Sequence, residues 1–271
     1  MVAITHNARE HILEAVRLVY SDLANHPEKE FHFPTGRATC LFLGYTPQQL
    51  DAVPAGAVEA FAGVGCPFLA GAIRPGDTVL DVGAGAGTDT LIAAGLTGPS
   101  GRVYGLDMTR AMRERLASNV RLMGIDHVEV LPGNAEEIPL PDASVDVITS
   151  NGVINLVPDK PQAIAELFRV LRPGGRVQIA DIVIGAQEGM LAEVRDNPRL
   201  WAECIVGAVT QSACFDMFAA AGFERPQATH RFDYFSRSSR RETREIAAGF
   251  QAHGILLTTR KKAPDTFFAF L

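Results

Sequence analysis

Apolar residues recur in short continuous runs along the middle of the chain, and polar, turn-forming residues separate the runs. Between these runs lie stretches with helical spacing of apolar residues, at 110–124 and 160–171. Glycines stand where those helices should end, at Gly124 and within 172–175. This alternation predicts βαβ units and a parallel sheet. The five predicted strands are 78–82, 102–107, 128–133, 145–151 and 176–183.

The two ends of the chain have other patterns. Residues 8–25 have nearly helical spacing of apolar positions and predict an amphipathic helix, whereas 26–56 is rich in Pro, Gly and turn formers and predicts an irregular segment. Residues 190–223 predict two helices. The runs at 229–235 and 254–262 predict two more strands, which could pair as an antiparallel edge on the parallel sheet.

Together these elements predict an α/β fold with a doubly wound, mostly parallel, seven-stranded Rossmann-like sheet. A chain of 271 residues can bury the core of one such domain together with smaller additions. We expect an N-terminal helical and irregular cap or lid at 1–70, followed by a Rossmann-like core at 71–185. Residues 186–271 should supply C-terminal helices and the edge strands that complete the sheet.

A glycine-rich turn, VLDVGAGAGTD at 79–89, follows the first predicted strand. Turns of this kind hold nucleotide cofactors, but Thr88 stands where a dinucleotide fingerprint has its third glycine. Asp81, at the end of the strand, would oppose a pyrophosphate and suit a cationic ligand. S-adenosylmethionine fits, because its ammonium suits a carboxylate and its carboxylate suits N–H groups at a helix start. The glycines of the turn are Gly83, Gly85 and Gly87.

Two further strand ends carry residues of the same predicted site. Asp107 ends the second strand, where a carboxylate can accept hydrogen bonds from both ribose hydroxyls. NAD would use the same residue, so Asp107 alone does not identify the cofactor. Asn134, Ala135 and Glu136 follow the third strand and should lie at the edge of the adenine.

Residues 77–183 resemble a class I S-adenosylmethionine-dependent methyltransferase, with GNAEEIPLPDASVDVITSN and RVLRPGGRV typical of its small-molecule branch. From residue 60 to the C-terminus the chain resembles the arsenite methyltransferase family, notably in DMTRAM, SNGVINLVPDK and WAECIVGA. The resemblance implies methyl transfer from S-adenosylmethionine to a small molecule. The predicted cofactor-binding residues are Asp81, Gly83, Ala84, Gly85, Gly87, Asp107, Met108, Asn134, Ala135, Glu136 and Asn151.

Members of the arsenite methyltransferase family hold trivalent arsenic with thiolates, which match its softness. The resemblance carries two of those cysteines onto Cys66 and Cys204, the predicted catalytic residues, and the third onto Gly152. Two thiolates could still hold an arsenical. Alternatively, Gly152 makes room for an organic acceptor methylated on carbon, oxygen, nitrogen or sulfur. A third interpretation is a protein that binds the cofactor without turnover.

Composition and charge limit the classes of molecule that the protein is expected to bind. Hydrophobic residues make up 47% of the chain and charged residues 21%, which is typical of a soluble enzyme, and the net charge of −6 disfavours nucleic acid. Arg9, Glu10 and Glu14 interrupt any secretory signal, and no apolar run is long enough to span a membrane, so we expect a cytoplasmic protein. The four cysteines lack metal-site spacing and predict neither a metal site nor a disulfide framework. The oligomeric state is not predicted.

Overall fold

The computed structural model describes residues 6–185, 201 and 205–263, and within them the fold is a central sheet covered by helices. The strand order is β3-β2-β1-β4-β5-β8-β7, with the short β6 paired to β5. Strands β1 to β5 are parallel, and β8 pairs antiparallel with β5 and β7. The strands are β1 Thr78–Val82, β2 Arg102–Asp107, β3 Val128–Pro132, β4 Val145–Asn151, β5 Leu171–Ile184, β6 Val209–Thr210, β7 Gln227–Phe232 and β8 His253–Arg260.

Helices lie before the sheet, between its strands and after it. Within the described residues, short 3₁₀ helices at Pro67–Ala70, Ile154–Leu156 and Tyr234–Arg237 connect other elements. In the described part of the chain, no helix has the length and apolar content that crossing a membrane requires. The α-helices are α1 His6–Asn25, α2 Gly36–Leu43, α3 Pro47–Asp51, α4 Ala55–Glu59, α5 Thr88–Thr97, α6 Arg110–Met123, α7 Lys160–Val170, α8 Gln211–Ala220 and α9 Arg241–Gly249.

The predicted fold class is confirmed, and the apolar runs explain why. Val79, Leu80 and Val82 of β1 are almost fully buried, because helices cover both faces of a parallel sheet. A strand buried on both faces needs a continuous apolar run. The sequence pattern predicted β1 to β5, although β3, at the edge of the sheet, has only Leu131 buried.

Three local predictions differ from the structure. The segment predicted to be irregular contains α2, α3 and α4, and the Thr46 side chain caps α3 in a capping box with Gln49. The predicted strand at 229–235 ends at Phe232, and a 3₁₀ helix follows. Strand β6 makes the eighth strand, but two residues are too short to leave a pattern. Helix α8 lies in the predicted helical stretch at 190–223, much of which falls outside the described residues.

The N-terminal segment packs into the same hydrophobic core as the sheet. Ile12 of α1, Leu43 of α2 and Leu50 of α3 belong to one cluster with Ile182 of β5 and Leu256 of β8. Helix α1 also packs along α6. These apolar contacts hold the N-terminal helices over one face of the sheet, where they form a wall of the cleft described next.

Candidate functional site

A cleft with about 1000 Å³ of empty space, part of it open to solvent, lies at the carboxyl ends of β1, β2 and β4. Ligands of α/β proteins bind at this edge of the sheet. Leu13, Val16 and Tyr20 of α1 form an apolar wall. We call the lining at 83–84, 106–109 and 133–136 the core end of the cleft, and the lining at 60–63, 88–89 and 151–153 its cap end.

Asp107 and the glycine-rich turn are fixed to each other at the core end. The N–H groups of Gly83 and Ala84 donate to the Leu106 carbonyl at 2.8 and 2.9 Å. Asp107 accepts from the N–H of Gly85 at 2.8 Å and of Thr109 at 2.7 Å, one on each carboxylate oxygen. Burial raises the pKa of Asp107, and these two N–H groups oppose the rise. Each carboxylate oxygen of Asp107 keeps a lone pair that can accept a hydrogen bond from a hydroxyl group.

Hydrogen bonds also fix the rest of the core end. The Asn134 side chain accepts from the N–H of Glu136 at 2.8 Å. Glu136 is buried, accepts from the N–H of Asp159 at 2.8 Å and forms an ion pair with Arg9 of α1. The Gln162 side chain donates to the Glu136 carbonyl at 3.1 Å. This edge of the cleft is therefore held from β3, from α7 and from α1.

The cap end is held together by Asn151, at the end of β4. Its side-chain oxygen accepts from the N–H groups of Val64 and Gly65 at 2.8 and 3.2 Å. Its nitrogen donates to the Gly65 carbonyl at 2.9 Å and to the Tyr45 hydroxyl and Asp89 carboxylate, each at 3.0 Å. The Tyr45 hydroxyl in turn donates to Asp89 at 2.6 Å. One amide thus connects β4, the start of α5 and two segments of the cap.

Glycine is required where the cap approaches Asn151 most closely. A Cβ atom on Gly63 would lie 2.4 Å from the Asn151 side-chain nitrogen, far inside van der Waals contact. The absence of a side chain therefore lets segment 63–65 reach the end of β4.

Two buried carboxylates lie near the turn in different surroundings. Asp81 accepts from the Thr90 hydroxyl at 2.6 Å and does not line the cleft. Burial and the nearby charge of Asp89 raise its pKa well above the usual range. Asp89 does line the cleft. Burial raises the pKa of Asp89 to about 6, against the effect of the hydrogen bonds from Tyr45 and Asn151.

The structure brings most of the residues predicted to bind the cofactor to one cleft. Asp81, Gly85 and Gly87 do not line the cleft. Gly85 contributes indirectly, because its N–H donates a hydrogen bond to the Asp107 carboxylate. Direct contact of any of these residues with the cofactor stays a prediction. Those that line the cleft are Gly83, Ala84, Asp107, Met108, Asn134, Ala135, Glu136 and Asn151.

Three residues at or beside the cap end were not predicted: Phe61 and Asp89 line it, and Tyr45 donates a hydrogen bond to Asp89. Asp89 had a signal, because it follows Gly87 by two residues and lies in the first turn of the next helix. Tyr45 and Phe61 had no such sequence signal, since each contacts residues that are far away in sequence. Their rings meet edge to face at 5.3 Å.

The cysteines that the structure describes, Cys40, Cys66 and Cys214, do not line the cleft. Cys66 is buried, is not part of the lining, and has a pKa raised to about 12 by burial. Burial also raises the pKa of Cys40. Cys204 lies outside the described residues. Across residues 6–185 and 205–263, no group of three or more His, Cys, Asp or Glu side chains could hold a metal ion.

Gly152 lines the cleft beside Asn151 and has a φ of +73°. A Cβ atom there would lie 3.2 Å from a methyl carbon of Val64. The left-handed backbone favours glycine at this position. The position matched to a family cysteine therefore has a conformation that a cysteine rarely adopts.

Comparison with known proteins identifies a family model and several similar proteins. The methyltransferase domain family matches residues 73–222. Arsenite methyltransferase of Halobacterium salinarum is 40% identical over 182 residues, which are 67% of this chain and 46% of that protein. Arsenite methyltransferase of Aquipseudomonas alcaligenes is 37% identical over 173 residues, 60% of this chain and 49% of that protein. The chain spans about half the length of these curated relatives.

A solved structure is similar over most of the fold. It is an arsenic(III) S-adenosylmethionine methyltransferase from Chlamydomonas reinhardtii, 30% identical, with a TM-score of 0.63. The match covers 86% of this chain and 76% of that one.

Proposed function

The chain belongs to the class I S-adenosylmethionine-dependent methyltransferases, and from this premise we propose that it methylates a small molecule held in the cleft. The observation that carries the proposal is the cleft itself, at the carboxyl ends of β1, β2 and β4, with fixed polar groups at both ends and apolar walls between them. We further propose that the protein acts in the cytoplasm, on a small-molecule substrate and without nucleic acid or membrane.

The residues present fit the cofactor at two points. Asp107 is held by two backbone N–H groups and keeps lone pairs for ribose hydroxyls. Met108 and Ala135 supply apolar surface beside it, as an adenine ring requires. At the other end, buried Asp89 offers a negative charge to a cation. The Asp89 carboxylate would repel the negatively charged pyrophosphate of a dinucleotide.

Bound S-adenosylmethionine supplies an electrophilic methyl group on its sulfonium. In the proposed mechanism, Asp107 and residues 134–136 orient the adenosine, and the cap end, with Asn151 and Gly152, borders the acceptor. The apolar wall from α1 excludes water. Holding donor and acceptor in line can supply several orders of magnitude in rate.

We also propose a division of roles along the chain. Residues 1–70 act as the cap, and residues 71–185 hold the cofactor. Residues 186–271 complete the sheet. The ion pair of Arg9 with Glu136 and the bonds of Asn151 to residues 64 and 65 support a cap that closes the cleft.

A trivalent arsenical is the first acceptor to test, because the relatives reported above act on arsenic according to their names. Cys66 and Cys204 would be its ligands, and its lone pair would attack the methyl carbon without a general base. For Cys66 this requires loss of the thiol proton and access to the cleft, since only the thiolate is a strong ligand.

An organic acceptor is the second candidate. The observation that favours it is the lining of the cleft, to which no thiol among the described residues contributes, and in which Gly152 stands at the position of a family cysteine. An apolar wall suits an organic molecule.

The deciding experiment is transfer of radiolabelled methyl groups to arsenite and to methylarsenite with glutathione present, against a thiol-only control. Labelled arsenicals that disappear in a Cys66→Ser/Cys204→Ser variant, but persist in Cys214→Ser, would establish thiolate-held arsenic. Cofactor binding without arsenical methylation would instead favour organic acceptors. Failure to bind S-adenosylhomocysteine at all would refute the proposed function.

A further inference from the structure

Two carboxylates compete for one role in the proposed function, that of binding the cationic end of the cofactor. The sequence pattern favours Asp81, because it ends the strand before the glycine-rich turn. In the structure Asp81 is only 2% exposed, is bonded to Thr90 and contributes nothing to the lining of the cleft. Asp89, eight residues later, does contribute to that lining.

The surroundings of Asp89 are those of an anion that lacks a counter-ion. Its hydrogen-bond partners are the phenol of Tyr45 and the amide of Asn151, and neither carries a charge. Among the described residues, no cation lowers its pKa, which burial raises to about 6. A buried carboxylate with only neutral donors is stabilised strongly by a cation that binds beside it.

Tyr45 and Asn151 leave Asp89 able to bind such a cation. Each donates to a different carboxylate oxygen, and an ionised carboxylate has about four acceptor positions. The two donors also fix the plane of the carboxylate, since Asn151 is itself anchored to the backbone at Val64 and Gly65. The geometry is therefore preorganised before any ligand arrives.

We propose that Asp89, rather than Asp81, binds the ammonium group of the cofactor's amino-acid moiety, and that Tyr45 and Asn151 are its positioning residues. This assignment rests on the proposed function. It gives a role to the cap as well, because Tyr45 belongs to the cap and orients a carboxylate that belongs to the core.

Two probes separate this role from general support of the fold. S-adenosylhomocysteine carries the amino-acid moiety, whereas 5′-deoxy-5′-methylthioadenosine has the same adenosine and thioether without it. We expect Asp89→Asn to weaken S-adenosylhomocysteine binding about 30-fold or more, as loss of a buried charge-assisted bond does. Binding of methylthioadenosine should change by less than about 3-fold, because it forms no such bond. Isothermal titration calorimetry measures both dissociation constants.

Asp81→Asn is the matched control, since it removes the other buried carboxylate of the turn. It should change the affinity for the two probes by the same factor. Tyr45→Phe removes the 2.6 Å donor and keeps the ring, and it should cause a smaller selective loss, about 3-fold to 10-fold. This second variant tests the assignment even if Asp89→Asn folds poorly.

The outcomes are distinguishable. Equal loss for both probes in Asp89→Asn, or no selective loss in Tyr45→Phe, would overturn the assignment. So would a selective loss of S-adenosylhomocysteine in Asp81→Asn. If the wild-type protein binds neither probe, the proposed function itself fails. Tight wild-type binding with an unselective Asp89→Asn leaves that function standing and refutes only the role of Asp89.

Discussion

The core end and the cap end of the cleft are built from different kinds of contact. At the core end, the bonds of Asp107 to Thr109 and Gly85 and of Asn134 to Glu136 span 2 to 22 residues, and the ion pair of Glu136 with Arg9 adds one contact with the cap. At the cap end, Asn151 bonds to residues 62 to 106 positions away. Strand ends and turns fix the core end as the sheet forms, whereas the cap end exists only when the cap has docked.

This contrast has a consequence for binding and stability. A substitution at the core end should act mainly on cofactor affinity, because the turn remains supported by the sheet. A substitution at the cap end should act on docking of the cap, on acceptor chemistry and, at Asp89, on binding of the amino-acid moiety of the cofactor. The variants below test this separation, from the largest expected effect to the smallest.

Asp107→Ala should have the largest effect. The variant removes the acceptor for ribose hydroxyls and frees the N–H groups of Gly85 and Thr109. We expect the affinity for S-adenosylhomocysteine to fall at least about 1000-fold, equivalent to roughly 4 kcal/mol. Calorimetric titration measures it, and Asp126→Ala, on an exposed loop, is the control. Retained binding and turnover would show that the ribose lies elsewhere.

Asn151→Ala should act chiefly on stability. It leaves the buried N–H of Val64, the Tyr45 hydroxyl and Asp89 without their common partner. Unsatisfied buried groups of this kind predict a loss of about 3 kcal/mol in the free energy of unfolding. Urea denaturation measures this loss, and faster proteolysis of the cap should accompany it. Asn25→Ala, at the exposed end of α1, is the control. A loss below about 1 kcal/mol would mean that the cap docks without this amide.

The same contrast explains how far the sequence could predict the molecule. Buried parallel strands leave continuous apolar runs, so β1 to β5 and the position of Asp107 could be read from local patterns. Short elements leave weaker signals, and α3 was missed although Thr46 and Gln49 form its capping box and Pro47 is its first residue. Docking of the cap onto the sheet brings together residues that are distant in sequence, so it leaves no local sequence pattern. Tyr45 was therefore not predicted. The strand-end position of Asp81 could be recognised from the sequence, whereas its separation from the cleft could not.

Gly152→Ala should give the smallest effect and test whether the cap end tolerates a side chain at this position. The φ of +73° and the nearby Val64 methyl group predict a loss of about 1 to 2 kcal/mol in the free energy of unfolding. Gly95→Ala is the opposite control, because Gly95 lies in the exposed interior of α5 with no atom near its Cβ position, and alanine there should add up to about 1 kcal/mol. If Gly152→Ala is as stable as wild type, the backbone at 152 adapts. Gly152→Cys should then present its thiol to the cleft, and a gain of arsenite binding in that variant would show that a thiol at this position can take part in holding an arsenical.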